Sequence, residues 1–228
     1  TNWVLVETVP RSQALAGVQA NIRNLLVLLL LWVQAIILGV LLLWRHMTAL
    51  QQAAARESGL KLYRGVAEAL LQAIDLRDPG AAEHSRRVGS LSRQIAVRIG
   101  SSAIEADTAE LAGALMNVGK LFVPVRVLTK SGALEEAEAS QFAEGTERWL
   151  ELLAHTPLDP PLEPVLRDAY RIGRGELIDS SAVGLNTYII VAANMTVALR
   201  SPRAYRMAHT PEDALRILKA QKPRIPQK

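Results

Sequence analysis

The sequence predicts an all-α protein, one transmembrane helix followed by a helical domain, and three observations lead there. Half of the residues are apolar while only 4% are aromatic. Sheet-rich domains draw on aromatic and β-branched residues, so this balance favours helices. An unbroken apolar run occupies residues 25–44. Beyond it, apolar residues recur at the three- and four-residue spacing of amphipathic helices.

With 228 residues the chain has room for one spanning segment and one domain of about 150 residues. It contains no cysteine, which excludes a disulfide scaffold and a thiolate metal site. The net charge of +4 is a mild excess. Part of it lies in Lys219, Lys222, Arg224 and Lys228, and no aromatic residue is interleaved with them. Residues 219–228 are therefore read as a solvated basic tail, and no nucleic-acid partner is expected. Thr1 is not a methionine, so the N-terminal segment is read as interrupted.

Residues 25–44 read LLVLLLLWVQAIILGVLLLW, with Gln34 the one strongly polar side chain and no charge. Twenty helical residues at about 1.5 Å each match a hydrocarbon core of roughly 30 Å. Trp44 closes the run, where an indole suits the headgroup level. Arg45, Arg56, Lys61 and Arg64 follow the segment, against Arg11 and Arg23 before it. The positive-inside rule then places the C-terminal side in the cytoplasm. Upstream, Trp3-Val4-Leu5-Val6-Glu7-Thr8-Val9-Pro10 alternates and stops at a proline, a pattern that resembles the exit strand of a Cache-type sensor. The expected segments are an extracytoplasmic end at 1–24, the span at 25–44, a linker helix at 45–66, a helical domain at 67–218 and the tail at 219–228.

The linker pattern continues helically to Asp78, with Leu60, Ala67, Leu70, Leu71 and Ile74 near one face, and Asp78-Pro79-Gly80 stops it. Sustained heptads are missing. A helix over 81–99 follows, with His84, Val88, Leu91, Ile95 and Ile99 at helical spacing and Gly100 at its end. Ser101-Ser102 supplies a cap for a third helix with the stripe Ile104, Leu111, Leu115 and Val118, ended by Gly119. A fourth helix is expected over 134–153. Pro157, Pro160, Pro161 and Pro164 predict a stiff, extended stretch. Residues 187–199 form a buried helix, and Thr210-Pro211 caps a last one running to residue 218.

Several motifs occur together and in order. They are Ala73-Ile74-Asp75-Leu76-Arg77-Asp78-Pro79, His84-Ser85-Arg86-Arg87-Val88 and Ala114-Leu115-Met116-Asn117-Val118-Gly119-Lys120. Pro124, Leu128-Thr129-Lys130 and Gly132-Ala133-Leu134 follow, then more loosely Ile189-Ile190-Val191-Ala192-Ala193 and Arg203-Ala204-Tyr205-Arg206. This set resembles an HD-GYP domain, the cyclic di-GMP phosphodiesterase branch of the HD superfamily. The resemblance implies a helical HD-type fold, cyclic di-GMP as a ligand, and two or three metal ions held by imidazole and carboxylate groups.

The chain departs from that pattern at the metal positions. Met116-Asn117 stands where the family has its His-Asp pair, Gly145 falls near the next metal histidine, and Ala193 aligns with a later metal aspartate. The tandem histidines and the Gly-Tyr-Pro loop have no counterpart between residues 164 and 184. His84 and Lys120 remain. Activating water on a phosphodiester requires ions that neutralise developing charge. Such ions prefer imidazole and carboxylate donors to a thioether or a neutral amide. The chain's four histidines are His46, His84, His155 and His209, and nothing in the sequence pairs them.

Each retained residue also has a plain structural reading. His84 fits a hydrogen-bonded core histidine, Lys120 a helix C-terminus, Arg86 and Arg87 solvated or paired cations, and Trp149 and Tyr205 packing. The expectation is a membrane-anchored signalling or scaffolding module of the bacterial inner membrane. It would act through a protein partner or a second copy, would not be an enzyme, and would hold no metal and no cofactor. His84, Arg87 and Lys120 are its vestigial ligand-binding candidates. The alternatives are a phosphodiesterase with residual activity and a non-catalytic cyclic di-GMP receptor using Arg87 and Lys120.

Overall fold

The structure is a computed structural model that describes Val4 and residues 10–220, apart from 131, 157, 159–160, 177–181 and 203–206; the side chains of 12–20 are not described. The alternating stretch before Pro10, the motif containing Tyr205, Pro157 and Pro160, and the tail residues Lys222, Arg224 and Lys228 lie outside the described residues. No strand occurs among the described residues, in keeping with the low aromatic content.

Helix α1 runs over Arg11–Asp75. Its residues up to Leu60 form one compact unit, and residues from Lys61 onward form a second. In the first unit every side chain of residues 25–44 is exposed. This is a helix long and apolar enough to cross a membrane, with none of its most apolar stretch buried.

The second unit starts with the last turns of α1 and continues with α2 (Ala81–Arg98), α3 (Ala103–Leu115), a 3₁₀ turn (Val118–Phe122) and α4 (Val125–Leu128). Helices α5 (Glu136–Ala154), α6 (Glu163–Gly173), α7 (Leu185–Arg200) and α8 (Pro211–Ala220) complete it. The chain leaves α1 through amides of Arg77 and Asp78 that both donate to the Ile74 carbonyl. Asp75 then caps α2, its Oδ1 accepting from the amides of Gly80 and Ala82 at 3.0 Å each. A carboxylate there also suits the positive end of the helix dipole. Helix α3 starts with a capping box: Ser102 Oγ accepts from the Glu105 amide, and Glu105 Oε2 accepts from the Ser102 amide. Thr210 Oγ1 likewise accepts from the Asp213 amide at the start of α8.

Two expectations are corrected. Helix α3 ends at Leu115, not Gly119, and the chain tightens into the 3₁₀ turn. The cause lies outside the segment. Gly119 is pressed against α5, where a Cβ would come within 3.1 Å of Thr146 Cα. The proline stretch is not extended throughout, because Pro164 sits in the first turn of α6. A first-turn proline lacks only an amide hydrogen that has no helical partner there. Helix α4 was not expected, and α1 begins at Arg11, well before the apolar run; the other helices differ from expectation only at their ends.

Helix α2 packs on α3 and α7. Val88, Ala193 and Val197 form one cluster, and Ala96, Ala106, Ala109 and Ile189 another. The α2–α3 crossing is close because it is built on glycines. A Cβ on Gly89 would lie 2.7 Å from the Glu110 carbonyl oxygen, and one on Gly113 would lie 3.1 Å from Gly89 Cα. Ile74, Leu150, Leu166 and Ile190 are the largest side chains completely enclosed. At about 1.5–3 kcal/mol each, they contribute more burial than the alanines around them.

Candidate functional site

The candidate residues lie at the junction of α2, the 3₁₀ turn, α5 and α7. His84 is in the first turns of α2, half-buried, with Nε2 3.0 Å from Asn194 Oδ1 on α7. An oxygen acceptor at that distance selects the form of imidazole that carries its proton on Nε2. Asn117 donates from Nδ2 to Ser85 Oγ at 3.4 Å, a long contact to the neighbour of His84. The Met116 backbone carbonyl accepts from the Tyr170 hydroxyl of α6, and burial raises the pKa of that phenol. Met116 itself is buried.

Lys120, on the 3₁₀ turn, donates to Asp78 Oδ2 at 2.7 Å, and both side chains are mostly buried. Arg77 donates to the carbonyls of Leu121 and Val123, so two cation contacts tie the end of α1 to this turn. Arg87 points away from the junction. Its Nε donates to Glu83 at 2.7 Å across one turn of α2, with both side chains exposed. Arg86 pairs with Glu68 of α1 at 2.5 Å, a contact that lowers the Glu68 pKa below the usual glutamate range. Trp149 is buried in α5 as a packing residue.

Two positions have no room for a donor. Ala193 is completely enclosed beside Val88 and Val197. A Cβ on Gly145 would meet Val123 Cγ2 at 2.8 Å and the Gly119 carbonyl oxygen at 2.9 Å. Gly145 thus serves a backbone contact between α5 and the 3₁₀ turn.

The structure therefore gathers His84, Asn117 and Ala193 around α2 and α7, joins Lys120 to Asp78, and leaves Arg87 on the surface. Sequence reasoning missed Asn194, Tyr170 and the Lys120 partner role of Asp78. Asn194 carried a signal, as the one amide in the middle of an apolar helix, where a polar group needs a partner. Tyr170 lay in the helix that the prolines obscured. Asp78 had been read as part of a helix stop and of a motif, without a partner.

The metal ions that the resemblance implies do not fit this donor set. Among the described residues no group of three or more His, Cys, Asp or Glu side chains could hold a metal ion. The polar groups at the junction bond to one another across helices.

Comparison with known proteins defines the class. The HD domain family model matches residues 68–225, and this chain belongs to the HD domain family. One curated relative is the cyclic di-GMP phosphodiesterase response regulator RpfG of Xanthomonas campestris pv. campestris (strain 8004), 30% identical over 162 residues. That alignment takes in 68% of this chain and 43% of the relative, so the chain spans less than half of the relative's length.

The expectation that the chain is not an enzyme is corrected by these matches. The domain is kin to a phosphodiesterase. Residues missing at matched positions describe a donor set copied site by site, and they do not measure turnover.

Proposed function

We propose that this chain is a membrane-anchored signalling module. In this reading residues 25–44 cross the inner membrane of a bacterium once, residues 45–66 link the span to the HD domain at 67–218, and that domain lies in the cytoplasm. It acts through contacts with a protein partner or with a second copy of the chain. The observation that carries this is the fully exposed, uncharged apolar run in α1, followed in the same chain by an HD domain. Seventeen large apolar side chains facing water in this run would be costly at about 25 cal/mol per Å², and lipid removes that cost. The excess of Arg45, Arg56, Lys61 and Arg64 over Arg11 and Arg23 supports the cytoplasmic placement.

A second reading is favoured by the relative: the domain hydrolyses or binds cyclic di-GMP. Arg87 and Lys120 are the cations that would meet its phosphates, and both hold a carboxylate in this structure. Two assays on the full chain separate the readings. Alkaline washing of membranes should leave the chain in the pellet, and its release would sink the anchored reading. Labelled cyclic di-GMP, supplied with iron or manganese, should show turnover or retention under the second reading. The absence of both turnover and retention would dismiss that reading.

A further inference from the structure

We propose that residues 62–76 form a self-association seam, closed by the same face of a second copy of this chain lying parallel and in register. The inference deepens the anchored reading and rests on it.

The end of α1 has three faces. Ala67, Leu71 and Ile74 are buried in the HD domain. A polar face carries Lys61, Arg64, Glu68, Gln72 and Asp75. A third face carries Leu62, Val66, Ala69, Ala73 and Leu76, with Leu62, Val66 and Leu76 exposed at 65%, 53% and 88%. Leu76 lies just past the helix end, but its amide still donates to the Gln72 carbonyl at 3.2 Å. These five positions are spaced four, three, four and three apart. At 3.6 residues per turn they fall within roughly 80° of the helix circumference. The spacing is the period of a two-helix left-handed seam. No charge interrupts the stripe, and the charged neighbours are engaged elsewhere: Arg64 with Asp107 and Glu110, Glu68 with Arg86.

The stripe's extent identifies the occupant. Two heptads fall short of the roughly three to four that mark an independent coiled coil, and five side chains bury far less than the ~1,200 Å² of a stable interface. The seam therefore needs a partner already held close and aligned. A chain anchored by residues 25–44 meets other copies pointing the same way at the same depth, so identical stripes face each other in register. Confinement raises the effective concentration without any new contact. Ala69 and Ala73 at the centre allow close helix approach.

The chain has no native cysteine, so single-cysteine variants from residue 61 to residue 76 in the full chain report without background. Oxidation in native membranes should link Leu62→Cys, Val66→Cys, Ala69→Cys, Ala73→Cys and Leu76→Cys several-fold more than Arg64→Cys, Glu68→Cys or Gln72→Cys. Adding Ala73→Glu to Val66→Cys should cut that yield several-fold. A flat profile, or a maximum on the polar face, from chains in the membrane pellet overturns the seam. Equal linking after dilution in detergent overturns its dependence on the membrane. A chain in the soluble fraction overturns the anchored reading instead.

Discussion

The apolar run at residues 25–44 and the HD domain solve opposite problems with overlapping residue types. In the run, leucine, isoleucine, valine and tryptophan are all exposed. In the domain, the tightest contacts involve the smallest residues: Ala96, Ala106, Ala109, Ala112 and Ala193 are completely enclosed, and Gly89, Gly113, Gly119 and Gly145 set the helix spacing. Large apolar side chains facing outward make a helix long and apolar enough to cross a membrane. Small ones facing inward call for close backbone approach, where one added methyl group matters.

Substitutions can break or sharpen that contrast. The largest effect is expected in the run: Ile37→Arg with Val40→Arg costs about 2.5–3.5 kcal/mol per residue for insertion, and should shift the chain out of the membrane pellet. Next comes the domain, where Gly145→Ala places a methyl group against a buried valine and a carbonyl. Overpacking of this kind costs about 1–3 kcal/mol, read as a lower melting temperature of the detergent-solubilised chain with its membrane retention unchanged. His84→Ala removes the contact with Asn194 and should cost about 1–2 kcal/mol in the same assay.

The smallest effect belongs to Arg86→Ala. The Arg86 bond lowers the Glu68 pKa. A lowered folded-state value means stability that is present above the unfolded pKa and lost as pH falls through the folded one. Glu68 is 41% exposed, so solvent screening keeps the contribution of the pair small. Melts from neutral to strongly acidic pH should show a slightly shallower acid loss in the variant, and added salt should erase the difference.

Much of the fold was legible because its signals are local. Ser101-Ser102 and Thr210-Pro211 marked helix starts, and the uncharged run marked itself by length. Helix α6 was hidden because prolines were read as extended chain, although its Leu166, Ala169 and Ile172 fall at helical spacing. The 3₁₀ turn was hidden because Gly119 answers to α5, not to its neighbours in sequence. The candidate site was half legible. His84 and Lys120 could be singled out by chemistry and resemblance, but their partners Asn194 and Asp78 sit 110 and 42 positions away. Distances of that kind are set by helix packing.

The anchored reading is tested most directly by side-specific thiol labelling of single cysteines in the full chain, in sealed membrane vesicles. Cysteines placed between residues 28 and 41 should resist a membrane-impermeant maleimide from both sides, while Arg56→Cys should react only from the cytoplasmic side. Uniform labelling of all positions, or reaction of Arg56→Cys from the opposite side, would contradict it.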